Sequence, residues 1–293
     1  MSSKNGYPAP VLALAVTAIS TAAVLVRLAP DVSPVAAALW RTAAVGVLLA
    51  PTLLRTRLTL ERRDGPLILL SGLLLALHFW TWFASLAHTT VMRSTVLVCL
   101  TPIWAGLLEW GLLRQAPRRQ YWIGVSLAMG GVVVMTGTDL GGASLLGDGL
   151  ALLGGMLSAS YLLVGRVVRP RVPIGPYGSL ICLSCAAWLV PAALLTDAPL
   201  TGFAPTSWLA LAGLALGPQL LGHIGLNYAV RYVSAATVAA LLLLEPVGAS
   251  FLGALLLGEY PNGREILGGV LILIGVGASS LWGKGKRSDE DSP

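Results

Sequence analysis

The chain alternates long apolar runs with short polar or Pro/Gly-rich breaks. About 20 apolar residues in helical form cross a bilayer core roughly 30 Å thick. Ten such runs are predicted, near residues 8–28, 33–54, 66–86, 90–112, 119–137, 147–168, 176–196, 207–230, 235–257 and 264–282. No interval between them has room for a separate soluble domain.

The second half repeats the first. At a shift of 140, Ser20, Pro30, Val32 and Pro51 meet Ser160, Pro170, Val172 and Pro191. At 145, His78 and Ala84 meet His223 and Ala229; at 144, Pro102, Gly124 and Gly131 meet Pro246, Gly268 and Gly275. Five spans that enter on one face leave on the other, so the second copy is upside down relative to the first, a construction found in secondary transporters. The predicted fold is an all-α integral membrane protein with ten transmembrane helices as two inverted five-helix repeats, residues 1–143 and 144–283. A polar cytoplasmic tail, 284–293, follows. The apolar stretch after Lys4 superficially resembles a secretion signal, but its removal would break the five-plus-five parity, so it is read as an uncleaved first span.

Charge orients the spans, because cytoplasmic loops retain Lys and Arg. With the amino terminus inside, 15 of the 19 basic residues fall on the inner side, among them Arg55, Arg57, Arg62, Arg63, Arg114, Arg118, Arg119, Arg166, Arg169 and Arg171. The outer segments near 138–146 and 197–206 hold none. Both termini are expected to be cytoplasmic, in a bacterial inner membrane. Composition agrees: 56% of residues are hydrophobic and only 11% charged, against about 25% charged in soluble domains. The net charge of +6 does not form an interleaved basic and aromatic surface, so nucleic acid is not an expected partner. Cys99, Cys182 and Cys185 all lie inside apolar runs and are read as small residues at helix contacts. No cofactor or metal is expected, and no G-x-x-x-x-G-K-[ST] loop or H-E-x-x-H motif points to an enzyme. The expected partners are lipid and a small-molecule substrate, with a functional monomer.

Polar groups inside spans are costly and mark candidate sites. Glu245, followed by Pro246, sits near a span's midplane and is read as a proton carrier or substrate-ammonium partner, or else as a carboxyl hydrogen-bonded between helices. His78 and Trp82 share a helix face, as do their repeat mates His223 and Asn227. These faces are expected to oppose one another across a central cavity, the plainer alternative being ordinary packing. Trp82, Trp104, Trp40 and Tyr161 would form a stacking wall for flat or apolar side chains. Trp110, Tyr121 and Trp122 are read as an interfacial belt. Arg41 is a candidate partner for a substrate carboxylate, whereas Arg93 snorkels to outer headgroups. Ser20 and Ser160 occupy matching places and bond either substrate or their own backbone. Gly124, Gly131, Gly268 and Gly275, seven apart within each pair, suit a tight scaffold contact.

The phrase Ala235-Ala236-Thr237, then Leu244, Pro246, Gly258-Glu259, Gly268-Gly269 and Gly275, set in this duplicated arrangement, resembles the EamA branch of the drug/metabolite transporter superfamily. The resemblance runs from about residue 10 to 282, and within the branch it is to YddG-type exporters. It implies a secondary transporter that exports small metabolites, amino acids including aromatic ones, by alternating access. Lipophilic cations or nucleoside-like cargo, or a passive channel, are the alternatives. One departure is plain: the first copy has Arg114-Gln115 where the second has Gly258-Glu259.

Overall fold

The computed structural model describes residues 8–56, 60–89, 91–136, 144–258 and 260–281, and the elements among them are helical, with no strand. We number the helical runs α1 (Ala9–Arg27), α2 (Pro34–Arg55), α3 (Asp64–Leu86), α4 (Val91–Val98 and Thr101–Leu113), α5 (Arg119–Thr136), α6 (Leu145–Val168), α7 (Ile174–Leu195), α8 (Pro205–Ala229), α9 (Ala235–Leu242 and Glu245–Leu257) and α10 (Gly263–Leu281). Eight of them, α1–α4 and α6–α9, are long and apolar enough to cross a membrane. The polar tail, the 137–143 segment and the Arg93 side chain lie outside the described residues.

Helix starts follow local chemistry. Ser33 caps α2 by accepting from Ala36 N at 3.2 Å, with Pro34 beside it. Ser234 does the same for α9, accepting from Thr237 N at 2.9 Å. Proline lacks an N–H and crowds the preceding turn, which accounts for a short break inside the fourth and ninth helical runs. Each is interrupted just before its repeat-related proline, at residues 99–100 ahead of Pro102 and 243–244 ahead of Pro246. In α8 the stretch Ala215–Ile224, which contains Pro218, widens into a π-helix. Such widening rotates the side chains that follow it and is frequent at functional sites.

Small residues let the helices approach. A Cβ on Gly124 would lie 2.5 Å from the Gly275 carbonyl, and one on Gly131 would lie 2.7 Å from that of Gly268, so the four glycines bring α5 and α10 into backbone contact. Cys182 and Cys185 are fully buried free thiols on α7, beside the α2 and α3 contacts. The face carrying the turns 60–64, 114–118, 169–173 and 230–234 is called the basic face below. On it, Arg171 pairs with the buried Asp64 at 2.5 Å. On the opposite face Asp31 accepts from Ala204 N at 2.8 Å and from the Ser207 hydroxyl.

Candidate functional site

The bundle centre holds a polar cluster. Arg41 on α2 is 7% exposed; its Nε donates to Gln219 Oε1 at 2.9 Å, and its guanidinium lies 4.6 Å from the centre of the Phe79 ring. Gln219, at the widened turn of α8, also donates from Nε2 to Cys182 Sγ at 3.4 Å. Phe79 meets the His223 ring edge-on at 5.7 Å, and Tyr161 lies 6.2 Å from the same imidazole. Asn227 Nδ2 donates to the Tyr161 hydroxyl and, at 2.8 Å, to the His223 carbonyl. His78 Nδ1 bonds the Gly154 carbonyl at 2.9 Å, and its ring lies parallel to that of Trp82 at 6.3 Å. Glu245 opens the second segment of α9, half-buried and near enough to Arg41 for their charges to interact. Three enclosed polar atoms of this cluster, Trp82 Nε1, His223 Nδ1 and Asn227 Oδ1, have no hydrogen-bond partner among the described residues, nor does Trp104 Nε1 on α4.

Several sequence expectations meet in this cluster. The His78/Trp82 face and the His223/Asn227 face come together, with Tyr161, Arg41 and Glu245 around them. Others are corrected. Trp40 is not part of the wall: its indole N–H donates to the Leu200 carbonyl at 2.8 Å, and its ring packs on Trp208 at 5.2 Å near the opposite face. The loop after α7 captures it because an indole N–H seeks the nearest free carbonyl. Trp104 is half-buried and packs against the hydrophobic core. Ser160 follows the second of its two expected alternatives, bonding its own helix at Met156 O, 2.8 Å. Ser20 bonds Val16 O at 2.9 Å and reaches across to the Glu245 carbonyl at 3.3 Å, touching the backbone at the break rather than the carboxylate. Tyr121 is only 6% exposed, its hydroxyl donating to Pro102 O at 2.7 Å and Ala236 O at 3.2 Å; it staples α4 to α9 and does not belong to a boundary belt. Trp110, 57% exposed, fits that belt.

Two residues escaped sequence reasoning. Gln219 is one of two amides in its apolar run, the other being Asn227, and it stands next to Pro218 and precedes His223 by four residues; that spacing was the available signal. Glu109 is a buried carboxylate on α4 that accepts from Ala235 N at 2.6 Å and pairs with Arg166 Nε at 3.4 Å. Arg166 in turn donates to Val233 O at 2.7 Å, so α4, α6 and the start of α9 are locked together. Beside this lock a cavity of about 490 Å³, lined by Glu109, Gln115, Arg118, Tyr121, Ser234 and Thr237 among others, lies between the 115–118 and 232–234 turns of the basic face.

Apolar helices of membrane-crossing length around a buried polar centre define a multi-pass membrane protein. The chain belongs to the EamA-like transporter family, whose model matches it twice, over residues 8–137 and 145–281. Uncharacterized transporter YwfM of Bacillus subtilis (strain 168) is 29% identical over 223 residues, 72% of each chain. The pseudopaline exporter CntI of Pseudomonas aeruginosa is 27% identical over 285 residues, 96% of this chain and 98% of that one. A solved crystal structure at 21% identity has the same fold, with a TM-score of 0.79 over 94% of this chain and 96% of that chain. Neither relative's name mentions an aromatic amino acid.

Proposed function

We propose that this transporter exports small zwitterionic metabolites, amino acids with aromatic ones among them, as YddG-type exporters do. The observation that carries the reading is the buried guanidinium of Arg41 within electrostatic range of the Glu245 carboxylate, at the edge of a cluster of rings. A guanidinium suits a carboxylate and a carboxylate suits an ammonium. The rings of Phe79, Trp82, Tyr161 and His223 suit the side chain between them, and His78 and Asn227, with its unpartnered Oδ1, supply polar contacts. The export direction draws on the relative that is named an exporter.

In this reading α5 and α10 complete ten spans, and residues 1–143 and 144–283 are inverted halves that rock about the midplane, opening the site to each side in turn. Support comes from the two separate family matches and from the pairing of elements. Helices α5 and α10, which are repeat mates, pack on each other; so do α2 and α7, and the α1–α8 contact mirrors that of α6 and α3. The basic face is then cytoplasmic, together with both termini and the 284–293 tail, in a bacterial inner membrane.

The test is counterflow of L-tryptophan into liposomes containing purified protein. Saturable, counterflow-capable uptake is expected, and Arg41→Gln should raise the half-saturating concentration about tenfold or more, the consequence of losing one charge-assisted contact. Linear flux would mean a channel. Thermal stabilisation by lipophilic cations but by no amino acid would overturn the substrate class.

A further inference from the structure

Asn227 is gripped from one side by a stripe on α6. Tyr161, Gly165 and Arg169 follow at four-residue spacing, so they lie one above another on a single helix face. All three reach Asn227. The Tyr161 hydroxyl takes a hydrogen bond from Nδ2. Gly165 leaves room for the amide oxygen, since a Cβ there would lie 2.5 Å from Asn227 Oδ1. Arg169, just past the end of α6, donates from Nε to the Asn227 backbone carbonyl at 3.0 Å.

Arg169 is an expensive way to hold a carbonyl. It is 1% exposed, its guanidinium faces the Tyr177 ring at 5.9 Å, and its remaining hydrogen bond goes to the Val172 carbonyl. Among the described residues no carboxylate pairs with it, whereas Arg166 and Arg171, on either side in sequence, both have acidic partners. Burial lowers its guanidinium to about 10, so it remains a cation at neutral pH. A buried charge without a counter-charge costs stability, which makes a purely structural plug a poor explanation when an apolar residue of similar size would serve.

We infer that Arg169 is a positioning residue: it pins the last turn of α8 so that the Asn227 amide and the Tyr161 hydroxyl keep one orientation toward the substrate. The inference rests on the central cluster being the substrate site. It also joins that site to the basic face, because the same short turn carries Arg171 and its pair with Asp64.

Two measurements test it together. In proteoliposomes, Arg169→Ala is expected to raise the half-saturating concentration for L-tryptophan counterflow roughly tenfold while leaving the maximal rate per folded molecule unchanged. Arg169→Lys, which keeps the charge but not the fork, should fall in between. In an Asn227→Ala background Arg169→Ala should add nothing, since no amide remains to be oriented. An equal effect in both backgrounds, or a loss of rate with half-saturation unchanged, overturns the inference. The second measurement needs no substrate. The chain has three asparagines, Asn5, Asn227 and Asn262, so the side-chain amide resonance of Asn227 can be assigned in protein labelled with nitrogen-15 at asparagine alone. It should move in Arg169→Lys toward its position in Tyr161→Phe; an unmoved resonance rejects the positioning role. If wild-type protein ignores L-tryptophan, the substrate reading fails and the resonance alone decides the role of Arg169.

Discussion

At the scale of single residues, Arg114 and Gly258 perform the same backbone task with unequal means. Both end a helix segment in the left-handed region, at φ 57° and 71°. Each cap N–H returns to an equivalent carbonyl, that of Glu109 in one copy and of Gly253 in the other. A residue with a Cβ carries a cost of roughly 1–2 kcal/mol in that region, which glycine avoids. Part of the gain from glycine is lost to the greater freedom of the unfolded chain. Arg114→Gly is therefore expected to stabilise by about 0.5–1 kcal/mol, and Gly258→Ala to destabilise by about 1 kcal/mol. Thermal unfolding in detergent reads both, and shifts of the same sign would mean that the cap torsion does not govern this turn. The departure of the first copy from the Gly-Glu pattern thus changed a side chain while the turn geometry stayed.

At the scale of elements, the α5–α10 contact is the tightest seam. Because a Cβ on Gly131 would meet backbone, at the Gly268 carbonyl and Ile272 N, both 2.7 Å away, no side chain can swing aside to admit it. Gly131→Ala should cost about 1–3 kcal/mol, the usual range for overpacking, and should lower the melting temperature; Gly130→Ala, where the same Cβ meets nothing within 4 Å, is the neutral control. The start of α8 gives a pH-dependent case. The Asp31 carboxyl is held below its ordinary 3.8 by the hydrogen bond from the Ser207 hydroxyl first and by that from Ala204 N next. A depressed folded-state pKa adds stability that is present above the unfolded value and fades as pH falls through the folded one. The melting-temperature gap between wild type and Asp31→Asn should hold steady near neutrality and narrow below pH 3.8; a gap that persists unchanged into stronger acid would rule out the carboxylate as its source. These elements also show what was legible in the sequence. Spacing along one helix and matching between repeats are one-dimensional, so the glycine seam and the His78 and His223 faces could be read directly. The fate of Trp40, the burial of Tyr121 and the partnership of Arg41 with Gln219 depend on which helix crosses at what height. The prolines at 102 and 246 were visible, but whether a proline bends a span or breaks it depends on the neighbours that receive the freed carbonyls.

At the scale of the whole molecule, two clamps on opposite faces are related by the repeat. Asp31 in the α1–α2 turn holds Ala204 and Ser207 at the start of α8. Its repeat mate Arg171, in the α6–α7 turn, holds Asp64 at the start of α3. Each clamp ties a turn of one half to the third helix of the other, so the rocking proposed above would have to work against one clamp or the other in every cycle. Proteins with Asp31→Cys plus Ser207→Cys, or Asp64→Cys plus Arg171→Cys, made in a background lacking Cys99, Cys182 and Cys185, place a thiol pair at each seam in turn. Before reaction both should still carry out counterflow, since each double substitution removes both side-chain partners of its clamp and leaves no buried charge unpaired. A short thiol-cleavable cross-linker across either seam should stop counterflow, and reduction should restore it. Inhibition at one seam alone would leave that seam as the moving gate and the other as fixed scaffold. Undiminished counterflow with both seams bridged would show that the halves do not move against each other there, and alternating access by rocking would have to give way to a path that opens within a single half.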